Sequence, residues 1–339
     1  MKELVQTLVE TYGPSGQEGR VRRLIEERIG GVAQVRTDAL GNLIAFKQGS
    51  GGGCKVMVAA HMDEIGLIIT HVDEKGFLRF ARIGGVSPAT LIGGRVRFAQ
   101  GALGVIAWEK WLRSNDKPEW KELFIDVGAT SPKDSPVGVG DVGAFERSFA
   151  EMGDRLVAKA MDDRIGCAIA LQTLLEMESS PNDVYFVFTV QEEVGTRGAA
   201  VSAFGLEPDV AVAVDVTGTG DTPEAHPMAV SLGAGPAIKI MDSGMLTHPA
   251  VKEWMIGAAE GLGIPHQLEV LELGSTDARA MQLSRSGVPA GCLSVPCRYI
   301  HTPSEVVDYR DVQGAVALLK KMVSEAVPAE VTAAKRQTV

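Results

Sequence analysis

Four apolar stretches that stop at acids or imidazoles constrain this chain more than any other feature. "KVMVAA" runs into His61, "VYFVFTV" into Glu192 and Glu193, "VAVAV" into Asp215, and "CLSVPC" toward His301. Continuous apolar runs of this length read as buried strands. Between them lie segments of helical period: 164–179, 249–262, one from about Asp277, and 312–326. Strands alternating with helices predict an α/β fold, with a mostly parallel sheet flanked by helices on both faces.

The texture changes between about Gly66 and Lys159. "LIITHVDEKGFLRFARIGG" and "GGRVRFAQGALGVIAW" alternate polar and apolar residues and break at glycines, with no helical period. Residues 67–157 therefore read as an inserted β-rich module. Residues 1–66 and 158–339 then form one discontinuous catalytic α/β domain. The short strands of the insert would offer edges that pair with other subunits. At the N-terminus, residues 1–30 read as helical with a break at 13–18, where Ser15 would cap the second helix. Residues 32–49 alternate as a hairpin turning at 40–42, and the "GSGGG" of 49–53 reads as a hairpin tip. That segment lacks the Lys-Ser/Thr of a phosphate loop.

Composition excludes several classes of function. The 339 residues carry a formal net charge of −10, which disfavours nucleic acid as a partner. No apolar run reaches membrane-spanning length, and the start "MKELVQTLVETYG" lacks the pattern of a secretory signal. Cys54, Cys167, Cys292 and Cys297 form no CxxC pair and sit in apolar settings, as reduced thiols of a cytoplasmic protein do.

In open α/β sheets, ligands bind beyond the carboxyl ends of the strands. The polar residues expected there are His61 and Asp63, Glu192 and Glu193, Asp215 and His301, joined by Asp162 and Asp163 ahead of the helix at 164–179. Taken singly, each has an ordinary explanation as a cap, a solvated acid or a structural histidine. Taken together, two imidazoles and several carboxylates without a thiolate suit zinc, cobalt or manganese, with enough ligands for two ions. Such chemistry needs one carboxylate that bridges two cations roughly 3.5–4 Å apart. It also needs one that stays off the metals to take a proton from water. The adjacent Glu192 and Glu193 can divide those tasks, one binding metal and the other acting as base.

The motifs "AAHMDEIG", "AKAMDDRIG", "VQEEVGTRGA", "AVDVTGTGDTP" and "RYIHTPSEVV", in this order, resemble those of the tetrahedral (TET) aminopeptidases. These are dinuclear metallopeptidases of the glutamyl, leucyl and deblocking type, and some members are labelled endoglucanases. The resemblance implies that His61 and Asp215 bind one metal and that Glu193 and His301 bind the other. Asp162 would bridge them, with Glu192 as general base. It places Asp63 behind His61 and implies a cis peptide between Asp162 and Asp163. It further implies an inserted module that assembles dimers into a hollow tetrahedral dodecamer admitting short peptides.

Deacylation of a small metabolite on the same metals is an alternative chemistry. Glycoside hydrolysis by paired carboxylates is another, although it leaves two histidines without a role and finds only 4 Trp for sugar platforms. Arg279 lies in the first turn of a helix begun by Ser275 or Thr276, where a cation opposes the helix dipole. It would either read an acidic substrate side chain or contact another subunit. The expectation is the contact, with a broad preference for uncharged residues such as Leu or Met. Arg298 faces away from His301 by strand alternation and reads as half of a structural ion pair.

Overall fold

The computed structural model describes residues 1–110 and 117–336. The four apolar runs form its centre. Strands Asp183–Thr189, Lys55–His61, Val210–Thr217 and Ala290–Arg298 lie side by side in that order, all parallel. Every residue of Val210–Thr217 is buried, as expected of a strand covered on both faces. The parallel register sets Thr189 opposite His61 and Asp215 opposite Ser294. The polar ends of the runs therefore share one edge of the sheet.

Seven further strands, most of them in antiparallel pairings, complete the eleven-stranded sheet. Leu43–Lys47 and Gln34–Thr37 extend one side. Glu305–Asp308, Arg155–Ala158 and Ala150–Met152 extend the other, and Ala237–Met241 with Gln267–Val270 branches from Ala290–Arg298. Strand alternation divides the core. Val58, Phe186, Val212 and Leu293 pack with helices Met161–Glu176 and Tyr309–Ser324. Met57, Ala59, Val187 and Ala213 face helices Arg197–Leu206 and Asp277–Gln282.

The β-rich segment closes into a separate barrel. Its six strands follow the order Gly66–Val72, Leu78–Ile83, Leu123–Asp126, Leu103–Trp108, Arg95–Phe98, Val142–Phe145. Alternate residues fill it, among them Leu67, Ile69, Phe80, Phe98, Ile106 and Ile125. Because the sheet closes on itself, the barrel lacks the open edges expected of short strands.

Two local expectations also change. The hairpin at 34–47 forms, but 49–53 is not a hairpin tip. It leads from Leu43–Lys47 to Lys55–His61 across Asp183–Thr189, which pairs with both. Gly49 and Gly53 pack on the backbone of Pro181 and Asn182, where a Cβ would come within 2.7 Å. Ser15 does not cap the helix Gly19–Ile29, whose preceding residue is Glu18. Its hydroxyl instead donates to Asp63 Oδ2 at 2.6 Å. All four cysteines are free thiols, and three are buried. No helix among the described residues is long and apolar enough to cross a membrane.

Candidate metal centre

His61 closes its strand with Nε2 3.0 Å from Asp162 Oδ1. The other oxygen of Asp162 lies 3.3 Å from His301 Nε2, which is also 3.2 Å from Glu193 Oε2. Asp215 Oδ1 stands 3.9 Å from His61 Nε2. Two donor trios result, His61–Asp162–Asp215 and Asp162–Glu193–His301, each with its ligand atoms within 4.8 Å of one another. Asp162 belongs to both and turns one oxygen to each. Glu192 is in neither trio, and its Oε2 lies 4.0 Å from His61 Nε2.

Backbone bonds hold these side chains in place. The Asp162–Asp163 peptide is cis. The Asp163 carboxylate accepts from the amides of His61 (3.2 Å) and Gly166 (3.0 Å). A Cβ on Gly166 would come within 2.3 Å of that carboxylate. Asp63 reaches His61 Nδ1 through its backbone carbonyl at 3.1 Å, with its carboxylate at 3.6 Å. The same carboxylate accepts from the amides of Glu192 (2.9 Å) and Glu193 (3.2 Å). It thus ties the end of one strand to the turn of its neighbour. Fully buried Arg164 donates to the carbonyls of Met62, Leu8, Thr11 and Gly13 and anchors the N-terminal segment behind the site.

The electrostatics of the cluster point to missing positive charge. Burial pushes the carboxyls of Asp163, Glu192, Glu193 and Asp215 above the usual carboxylate range, and neighbouring acids push them further. Burial also favours neutral imidazoles, but hydrogen bonds to Asp162 and its neighbours reverse that. They raise His61 well above its ordinary value and His301 to about 12. For Asp162 the same bonds to His301 and His61 outweigh burial and hold its carboxyl down. Glu193 Oε1 is buried with no hydrogen-bond partner among the described residues. Divalent cations fit this donor set. They would take the place of the imidazole protons and satisfy the orphaned oxygen.

Two further carboxylates belong to the site and escaped sequence reasoning. Glu305 accepts from the amides of Asp162 (3.0 Å) and His301 (2.8 Å), linking the two trios through the backbone. It lies four residues beyond His301 in "HTPSEVV", but nothing in the sequence marks which amides it meets. Asp277, at the start of its helix, accepts from Thr189 Oγ1 at 2.5 Å, and burial pushes its pKa up to about 6. Arg298 pairs with Asp221 at 2.7 Å, away from the cluster. Arg279 is exposed, two residues past Asp277. With Thr196, Phe204, Leu283 and Arg285 it lines a surface recess of about 500 Å³.

Comparison with known proteins identifies the family of the chain. Residues 41–318 match the M42 glutamyl aminopeptidase family. The chain is 36% identical over 346 residues to the lysyl aminopeptidase of Pyrococcus furiosus, a match covering 97% of this chain and 99% of the relative. Among solved structures, aminopeptidase APDkam598 of the archaeon Desulfurococcus kamchatkensis superposes with a TM-score of 0.93 at 44% identity, over 98% of this chain and 96% of that one. The Pyrococcus horikoshii TET1 peptidase, described as assembling into a tetrahedron or a large octahedral shell, gives 0.85 at 32% identity over 95% and 98% of the two chains. A match that spans both halves of the α/β sheet and the barrel between them leaves one conclusion: the chain belongs to the M42 glutamyl aminopeptidase family and is a peptidase.

Proposed function

We propose that this peptidase is a metal-dependent aminopeptidase that removes N-terminal residues from short peptides with two divalent ions, zinc, cobalt or manganese. The sharing of Asp162 between two donor trios carries this reading. Bound there, such ions would polarise the peptide carbonyl and lower the pKa of the attacking water. Asp162 would bridge them, with His61 and Asp215 holding one, and Glu193 and His301 the other. Asp63 and Asp163 act behind these ligands, on the amides of Glu192, Glu193 and His61.

Glu192 lies outside both trios and so is free to act as general base. Water oxygen adds to the peptide carbonyl while Glu192 takes its proton. As the C–N bond breaks, Glu192 passes that proton to the departing amine nitrogen. Burial, and then the neighbouring Asp215, Asp277 and Glu193, raise its carboxyl above its ordinary value and so favour its taking up a proton. Glu192→Gln keeps the shape and loses the basicity. Turnover should fall roughly 10²–10⁴-fold with both ions still bound. Near-normal turnover at full metal occupancy would refute the assignment.

We further propose that the barrel segment, within residues 67–157, assembles dimers into a tetrahedral dodecamer, and that the four free thiols mark a cytoplasmic protein. Phe204 and Leu283 remain exposed beside Arg279, as the apolar part of a subunit contact would be in a separate chain. This supports Arg279 as a contact residue, and with Arg279 so assigned we propose a preference for uncharged substrate residues. Kinetics on Leu- and Glu-amides test it. A strong preference for Glu that collapses in Arg279→Ala would reverse it.

A further inference from the structure

The barrel supplies no member of either trio, yet it touches the second one. Strand Leu78–Ile83 ends at Gly84 and Gly85, and Val86 then plunges into the barrel core. A Cβ built on Gly85 would lie 2.4 Å from His301 Nδ1 and 2.7 Å from its Cε1. One on Gly84 would lie 3.0 Å from Glu193 Oε2 and 2.8 Å from Ile65 Cγ2. From the other side the His301 ring meets Asp162 and Glu193, and its amide is held by Glu305. The imidazole is clasped between the sheet and this bare stretch of backbone.

Backbone conformation explains only one of the two glycines. Gly84 has a φ of 77°, where a side chain would be strained whatever the space. Gly85 is not in the left-handed region. What a side chain there would meet is the His301 ring, at Nδ1 and Cε1.

We infer that Gly85, backed by Gly84, is a positioning residue of the second trio, through which the barrel sets the place of the His301 imidazole. This rests on the two-metal reading above. A metal-binding imidazole must present its nitrogen along a fixed direction, and the groups that orient it contribute about 10–100-fold in affinity. A methyl group at position 85 would push the ring off that direction. His301 is the flexible partner in the clash, with 35% of its side chain exposed, so the ring should yield before the fold does.

The test is metal titration of Gly85→Ala beside the unaltered protein and Gly138→Ala. The last is a barrel glycine with open space where its Cβ would go. The expected result is two ions per subunit in the unaltered protein and in Gly138→Ala. In Gly85→Ala the first ion should bind as before and the second at least about tenfold more weakly. Two ions bound with unchanged affinity in Gly85→Ala would overturn the inference and leave the two-metal reading intact. If the unaltered protein binds fewer than two ions, it is the two-metal reading that falls, and this inference with it. If Gly85→Ala is unstable, the double variant Gly85→Ala/His301→Ala decides: recovery of stability supports the clash with the ring, and continued instability overturns it.

Discussion

The two trios share Asp162 but are built differently. His61 and Asp215 come from neighbouring parallel strands of the sheet, and both are buried. Glu193 and His301 come from loops, and His301 adopts a φ of 63°. The first half-site takes its geometry from sheet register. The second depends on what surrounds it: the Glu305 carboxylate, the Asp63 bond to the Glu193 amide, and the glycines of the barrel. Changes outside the sheet should therefore weaken the second half-site first.

The largest effect should come from the residue that erases the difference. Asp162→Ala removes a ligand from both trios, so metal content should fall toward zero and activity with it. Metal analysis finding two ions per subunit would refute the shared role. Glu305→Gln should sharpen the contrast instead. An amide group cannot accept from both the Asp162 and His301 amides, so one of them is left facing another donor. Affinity at the second half-site should drop about 10–100-fold, with a smaller change at the first. Equal loss at both, measured by calorimetric titration, would contradict the asymmetry.

A smaller effect concerns the metal-free protein and pH. The carboxyls of Asp163, Glu192, Glu193, Asp215 and Glu305 are raised, so the folded chain keeps protons that the unfolded chain releases above about pH 4.5. His61 and His301 act in the same direction. Their stabilisation is complete below about pH 6.5 and is lost as pH rises toward the folded values, about 12 for His301. Asp162 and Asp63 are lowered and act in the opposite sense, but only below about pH 4. Stability without metal should therefore fall between about pH 5 and pH 8. Metal binding releases protons, so its stabilisation should grow over the same range. Thermal melting with and without chelator checks both slopes. A metal-free melting temperature that rises with pH would contradict the charge balance described here.

How much of this could be read from residues alone follows from what each feature depends on. The parallel core was legible because "VYFVFTV" and "VAVAV" are buried on both faces and show it in composition. The convergence of His61 and Asp215 was legible because the ends of parallel strands share an edge, and Glu193 and His301 follow two more of those strands within a few residues; Asp162 was legible from its motif ahead of a helix. Glu305, Ser15 and the Asp63 carboxylate were not, because their partners are backbone amides or a hydroxyl brought near by tertiary packing. Barrel closure depends on Val142–Phe145 meeting both Gly66–Val72 and Arg95–Phe98, pairings that no local pattern encodes. Gly85 looks like any turn glycine until the ring across from it is seen.

In the proposed centre one carboxylate, that of Asp162, holds two cations between unequal half-sites. Anomalous diffraction from crystals soaked in zinc or cobalt would locate those cations. Two peaks per subunit are expected, one on each side of the Asp162 carboxylate, with the His301-side peak losing occupancy first as the metal is diluted. A single peak, or two peaks that do not flank Asp162, would contradict that arrangement.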